Sequence, residues 1–456
     1  MKKGFVFIED TAFVTLTQLA ERTKQLGYTN YVISRILEEH ERERIDKYNA
    51  TNPSPLFEHV IETDQWDFSF LQETVATFER ETPIAAFLTL GGLFNRSGLL
   101  GAYTAQLAQD RGLPSQSPEA LYRTNNKYLA RDALKVAGVP TVNFGLASNI
   151  EEARLRAEQI GFPVVLKPIN GCASQLVMTC QNEIELVEKF NYAIKQLPLL
   201  EFKQEIYTGC HEYTDMSGKM IFFDPLQTLL IEEYISGREA SIELLATEDE
   251  MIPLLIHDKV LVSHGETTVY EHLLTVPPVR FTPSEVEAMK QYAVQVAKAT
   301  GIKNSLCHIE IRYDETRGPQ LLEINPRVGG MLVTQSLKTM IEFDALEAMI
   351  HLALGTFPSG YQPPASKEEL HAMFTLYPPH AGFFEKVEGF EELKEWEEIL
   401  QAILIFPEKT WIQGDHEEIF LLMCWTRAKT YDDIVTIYEK AKETVKFHIK
   451  KQEYVK

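Results

Sequence analysis

Cys307-His-Ile-Glu-Ile-Arg-Tyr313 and Gln320-Leu-Leu-Glu-Ile-Asn325, followed by Pro326-Arg327, read as a β-hairpin around the turn Asp314-Glu-Thr-Arg-Gly-Pro319. Both runs are apolar-rich with period-two alternation, and the segment between them carries Gly and Pro. Side chains alternate faces along a strand, so Glu323 and Asn325 share one face while Leu322 and Ile324 take the other. On the preceding strand Glu310 shares a face with His308. Pairing of the two strands lets Glu310, Glu323 and Asn325 converge. Two carboxylates and an amide oxygen make a hard oxygen site, suited to magnesium that carries nucleotide phosphates. Arg327 follows on the same edge, with a guanidinium fork that fits a phosphate or a carboxylate.

Two lysines upstream fit a phosphate site. Lys167 ends the apolar strand Phe162-Pro-Val-Val-Leu-Lys-Pro168, just before a loop with Gly171 and Ser174. A lysine there can clamp phosphates together with loop N–H groups. Lys127 stands in the first turn of a helix behind Asn125 and Asn126, where a cation costs a little stability, so a function is expected for it. Further upstream the chain alternates short apolar runs (Phe5–Ile8, Tyr31–Ile33, His59–Glu62, Ile84–Leu90) with helical patterns. That alternation predicts an N-terminal doubly wound parallel sheet over residues 1–112. Thr282-Pro-Ser-Glu285 is a helix start, with a capping threonine, Pro in the first position and Glu completing a capping box. Pro358, Gly360, Pro363 and Pro364 mark a boundary, after which a small C-terminal α/β lobe is expected over 361–456.

The chain has 456 residues, 45% hydrophobic and 24% charged, ordinary for a globular protein and far from a collagen, a rod or a disordered chain. A formal net charge of -22 leaves no basic footprint for bulk nucleic-acid binding. The five cysteines are odd in number and none form a CxxC pair, so neither a disulfide framework nor a structural zinc is expected, and a reducing cytoplasm fits. Gly4–Ile8 is too short for a secretory apolar region, and no stretch reaches the ~20 residues needed to span a bilayer.

The ordered set Asn126-Lys127, Val165-Leu-Lys-Pro168, Glu232-Glu-Tyr-Ile-Ser-Gly-Arg-Glu239, Glu310 and Leu322-Glu-Ile-Asn-Pro-Arg327 resembles the ATP-grasp superfamily, most closely its carboxylate–amine (L-amino acid) ligase branch. The resemblance spans nearly the whole chain. It implies an ATP-grasp α+β module over 113–360, with a lid lobe at about 141–235 and a metal-site lobe at about 236–360. It implies Lys127, Lys167 and Ser174 at ATP phosphates, Glu233 and Ile235 at adenine, and Glu239 at the ribose. It further implies Glu310, Glu323 and Asn325 as ligands of Mg2+, or of Mn2+ in its place, and Arg327 steadying an acyl phosphate. The tandem Glu232 leaves the adenine position open by one residue. Glu271 matches a substrate position, although His272 is out of step with the family's Glu and His before a proline. The phosphate loop also departs, with Ala173 and Leu176 where many relatives have glycine. The implied activity is ATP-dependent joining of an amino acid or similar small acid to an amine, with release of ADP and phosphate. Transfer to the thiol of an acyl carrier protein in antibiotic biosynthesis and a noncatalytic nucleotide-binding subunit are the alternatives, and homodimers occur among related ligases.

Overall fold

Every residue of β1 (Gly4–Glu9) is buried, because both faces of the sheet it centres are covered. The computed structural model describes residues 2–10, 13–90, 97–171, 174–199, 211–214, 218–412 and 418–451. β1 pairs in parallel with β2 (Thr29–Ser34), which pairs in parallel with β3 (His59–Glu62), and on its other edge with β4 (Ile84–Leu88). Alternate side chains of β1 enter two cores. Phe5 and Phe7 pack with Leu16 and Leu19 of helix Phe13–Gln25, whereas Val6 and Ile8 pack with Leu71 and Val75 of helix Phe68–Glu79. A parallel sheet covered on both sides uses near-continuous apolar strands, and the run Phe5–Ile8 obeys that rule. Ile350, from helix Ala345–Leu354, joins the first of these cores and ties the sheet to the later chain.

Asn126 caps the helix expected from the sequence, and a further helix, not expected from the sequence, precedes it. Helix Pro118–Asn125 ends there and helix Lys127–Val136 begins, with the Asn126 side chain accepting the Leu129 N–H at 3.1 Å. Its extended backbone breaks the helix while its oxygen satisfies an orphan donor. A second sheet contains β5 (Phe144–Ala147), β6 (Val164–Pro168) and β7 (Met178–Cys180). After the hairpin of β8 (His211–Thr214) and β9 (Met220–Phe223), β10 (Leu229–Glu233) enters it between β5 and β6, antiparallel to both. Helices Ile150–Ile160 and Glu183–Gln196 pack on this sheet.

The largest sheet has eight strands. It begins with β11 (Arg238–Ala246), β12 (Met251–His264), β13 (Val269–Val276), β14 (Ser305–Asp314) and β15 (Gly318–Asn325). The C-terminal strands are β16 (Leu370–Leu376), β17 (Gly382–Glu388), β18 (Ile399–Leu404), β19 (Thr410–Ile412), β20 (Leu422–Ala428) and β21 (Lys446–Lys450). The order is β15-β14-β11-β12-β13-β16-β20-β18, while β17, β19 and β21 form a separate three-stranded sheet. Pairing of β13 with β16 carries the large sheet across residue 360, the position where Pro and Gly suggest a boundary. The strands β12 and β13 escape a periodicity reading because their pairing is broken. The β11–β12 register shifts beside Pro253, and the β12–β13 register shifts on either side of Leu261. Helix Pro283–Thr300 has the expected capping box at Thr282 and Glu285, and it covers the apolar face of β11, β14 and β15. Among the described residues, no helix is long and apolar enough to cross a membrane.

Candidate active site

The hairpin of β14 and β15 forms as read, with Glu310 directly opposite Glu323 and His308 opposite Asn325. On its other edge β14 pairs with β11, setting Arg312 opposite Glu239, Glu310 opposite Ser241 and His308 opposite Glu243. Between these residues Ala240, Ile242, Ile309, Ile311 and Ile324 turn into the core under helix Pro283–Thr300. Period-two alternation thereby gathers Glu239, Glu243, His308, Glu310, Arg312, Glu323 and Asn325 on one polar face.

On that face the carboxylates are already partnered. Oxygens of Glu239, Glu271 and Glu310 lie within 4.8 Å of one another. Lys259 Nζ stands among them, 3.2, 2.5 and 2.8 Å from the three in that order. Burial of its amine opposes charge, yet the three carboxylates hold its pKa well above the usual lysine value. Arg312 Nε also reaches Glu239 at 3.0 Å, and its Nη1 donates to the Ile235 carbonyl at 3.0 Å. His308 bridges Glu243 through Nδ1 at 2.5 Å and Glu310 through Nε2 at 3.4 Å. Burial lowers the basicity of His308, but Glu243 and Glu310 outweigh it and raise its pKa to about 9. The second oxygen of Glu243 accepts the Gly329 N–H at 3.0 Å, which latches the loop after Arg327 to the sheet. A Cβ at Gly329 would meet His308 Nδ1 at 2.6 Å, so the latch needs glycine there.

Of the two lysines of the expected phosphate site, Lys127 reaches this face, while Lys167 is held on the second sheet. Lys127 Nζ lies 3.5 Å from Glu323 and donates to the Gly171 carbonyl at 2.8 Å. Lys167 Nζ lies 2.6 Å from Glu232, whose other contact is a fork–fork pair with Arg131 at 2.8 and 3.2 Å. Arg131, Lys167 and Glu232 are all buried. This separates the two tandem glutamates. Glu232 is committed to the buried pair of cations, whereas Glu233 sits at the lobe junction, accepting from Asn143 N and Nδ2 at 3.2 Å and pairing with Arg317 at 2.6 Å.

Burial pushes the Glu232 carboxyl up, but Arg131 and Lys167 overcome it and hold the pKa at about 2. The ordinary value is 4.5, so the folded pKa is depressed. The stabilisation from this group is therefore complete above pH 4.5 and is lost as pH falls towards 2. Thermal melts of the wild type are expected to fall steeply through that interval. A Glu232→Gln variant should fall less over the same range, and equal pH slopes would count against the assignment.

In the phosphate loop, Cys172 and Ala173 lie outside the described residues. Ser174 and Leu176 both have positive φ, 52° and 53°. Leu176, at a position where the family resemblance leads one to expect glycine, pays a strain of ~1 kcal/mol or more. Its fully buried side chain packs with Val164, Leu166 and Met178, so apolar burial holds the left-handed turn that a glycine would adopt freely.

Three contributors come from the C-terminal segment, where the sequence shows no chemistry. The Glu271 N–H donates to Glu418 at 2.7 Å, and its carbonyl accepts from Thr375 Oγ1 at 2.6 Å and from the Tyr377 hydroxyl at 3.0 Å. The Tyr377 hydroxyl also donates to Glu418. Burial and the nearby Glu271 push the Glu418 carboxyl up to about 8. His272, out of step with the family pattern, faces away from Glu271. It contacts Ser263 at 2.7 Å and the Tyr438 hydroxyl at 3.1 Å, on the side covered by helix Tyr431–Thr444. Arg280 is structural: it binds the buried Asp258 at 2.8 and 2.5 Å and the Lys259 carbonyl at 2.7 Å. Lys259 itself, and the Arg131 behind Glu232, carry no motif that a sequence reading could use.

Arg327 lines a small, partly open cleft between the C-terminal end of β4 and the start of β14. Phe87, Leu90, Ala105 and Met349 give its walls an apolar character, with Thr104 and Gln116 as polar neighbours.

Residues 160–335 match the ATP-grasp domain family. The chain is 23% identical over 359 residues to the uncharacterized protein y4rH of Sinorhizobium fredii, an alignment covering 78% of this chain and 64% of that one. It is 25% identical over 315 residues to the alanine–anticapsin ligase of Bacillus subtilis, covering 66% of this chain and 62% of the ligase. The chain thus spans less than two thirds of the length of these curated relatives. Its fold is that of the L-amino acid ligase from Bacillus licheniformis, with TM-score 0.78 at 19% identity, covering 99% of this chain and 100% of that structure.

Proposed function

We propose, from the premise that this chain carries an ATP-grasp domain and so belongs to that superfamily, that it is an ADP-forming ligase joining a small carboxylate, an amino acid or a close analogue, to an amine. The observation that carries this reading is a single polar sheet face. It brings Lys127 within 3.5 Å of Glu323, sets Glu323 opposite Glu310, and leads through Asn325 to Arg327 and an apolar cleft.

In this reading Lys127, Lys167 and Ser174 hold the ATP phosphates, Glu233 and Ile235 meet the adenine, and Glu239 meets the ribose. Glu310, Glu323 and Asn325 supply hard oxygen donors that fit Mg2+, with Mn2+ as a substitute. The bound metal would neutralise charge on the phosphate oxygens. A carboxylate oxygen of the substrate attacks the γ-phosphorus, and the bond to ADP breaks. The amine nitrogen then attacks the activated carbonyl, loses a proton, and inorganic phosphate departs. The protein positions the groups and stabilises their charge, the usual burden in phosphoryl transfer. Arg327, which lines the cleft, suits the carboxylate and then the acyl phosphate. Glu271, on the same acidic cluster, suits the ammonium group of an amino acid.

The test is a phosphate-release screen of all amino acids, alone and in pairs, with Mg2+ and ATP, followed by mass spectrometry of the products. Dipeptide formation with equal ADP release is the expected result. No ADP from any pair would sink the reading. A mass gain on a carrier protein in place of a dipeptide would redirect it to thiol transfer.

A further inference from the structure

Four strands meet at Lys259. Glu239 comes from β11, Lys259 from β12, Glu271 from β13 and Glu310 from β14. Three carboxylates whose oxygens lie within 4.8 Å of one another repel strongly in a buried setting unless a cation stands among them. Lys259 Nζ takes that place, with all three contacts at 3.2 Å or less and a side chain only 1% exposed. Glu239 has a second cation in Arg312, and Glu310 has one in His308. Among the described residues, Lys259 is the one cation that the structure sets against Glu271.

The backbone is built to aim this side chain. The β12–β13 register shifts between Asp258 and Leu261, so Lys259 lies at a bulge, a device that redirects a side chain. Arg280 locks the bulge by donating to the carboxylate of the fully buried Asp258 and to the Lys259 carbonyl. A lysine buried only for packing would need none of this.

We propose that Lys259 is a positioning residue that serves as the built-in cation of the Glu239–Glu271–Glu310 cluster, fixing the three carboxylates relative to one another and keeping a free divalent ion out of the space between them. The roles of the three glutamates rest on the ligase reading above, but the clamp itself does not. Under that reading Lys259 joins the ribose, metal and substrate positions into one unit, so that Glu310 meets its metal already oriented. Partners that orient a ligand in this way typically contribute about 10–100-fold to affinity or activity.

The test replaces the ammonium with an uncharged chain of similar length, Lys259→Met. Wild type and variant are melted without nucleotide or substrates, with and without Mn2+. The three carboxylates left without their cation should take the metal. Mn2+ is therefore expected to raise the variant's melting temperature by about 3 °C or more beyond any rise it gives the wild type. A variant that ignores Mn2+, or a wild type that responds as strongly, overturns the proposal. If Lys259→Met does not accumulate as folded protein, Lys259→Gln, which keeps a polar head among the three carboxylates without the positive charge, is melted the same way with the same two outcomes. These melts contain no turnover, so they succeed or fail independently of the ligase reading. In turnover assays the proposal expects Lys259→Met to lower kcat about 10–100-fold while lowering the Mg2+ needed for half-maximal rate. A merely structural lysine would change the yield of folded protein and leave that Mg2+ requirement in place.

Discussion

Arg327→Ala is expected to lower ADP-forming turnover about 10²–10³-fold while changing ATP affinity little. Arg327 follows the end of β15 and lines the cleft, with Nη1 donating to the Val328 carbonyl at 3.0 Å. The loop that carries it is latched by the Gly329 N–H to Glu243, itself fixed by His308. A donor held this firmly needs no reorganisation when charge develops on a carboxylate that is becoming an acyl phosphate. Such pre-set donors act on the transition state more than on the bound nucleotide. Nucleotide titration alongside steady-state kinetics separates the two effects. A loss of ATP binding as large as the loss of turnover would place Arg327 on the nucleotide, and full activity would remove it from the site.

Glu232→Gln should destabilise the fold by about 3–5 kcal/mol, the cost of leaving buried charges without their partner. Arg131 and Lys167 both depend on this carboxylate, and all three side chains are buried. The adjacent Glu233→Gln provides the contrast. Glu233 is partly exposed and pairs with Arg317 near the surface, where an ion pair is worth about 0–1 kcal/mol. Chemical denaturation of both variants is the measurement. Similar losses from the two substitutions would contradict the division of roles. The comparison also bears on nucleotide binding. Under the ligase reading Lys167 meets the ATP phosphates, and Glu232 holds its side chain, so the variant is expected to lose ATP affinity together with stability.

The sequence made some of this site legible and hid the rest, and the line between them is physical. The β14–β15 hairpin could be read because period-two alternation and a Gly-Pro turn are local signals, but a register shift after Glu310 sends Leu321, not the expected Leu322, into the core beside Ile324. The parallel N-terminal sheet could be read for a similar reason: strands buried on both faces write continuous apolar runs. Asn126 showed as a cap, but the helix that precedes it did not show. The eight-stranded sheet was harder. Bulges interrupt the alternation of β12 and β13, and the pairing that joins β13 to β16 spans a Pro-rich segment that resembles a boundary.

What the sequence by itself determined is therefore local: the hairpin of β14 and β15, and the faces that His308, Glu310, Glu323 and Asn325 occupy along it. What only the tertiary structure decided is which charges meet. Arg131 and Glu232 are 101 residues apart, and Glu271 and Glu418 are 147 apart. The pairing of Lys259 with three carboxylates depends on strand order and on one register shift. Local sequence sets the direction a side chain leaves its strand. The neighbours it finds there are set by how strands from distant parts of the chain align, and in a buried, low-dielectric setting those neighbours decide whether a charge is a ligand, a partner or a cost.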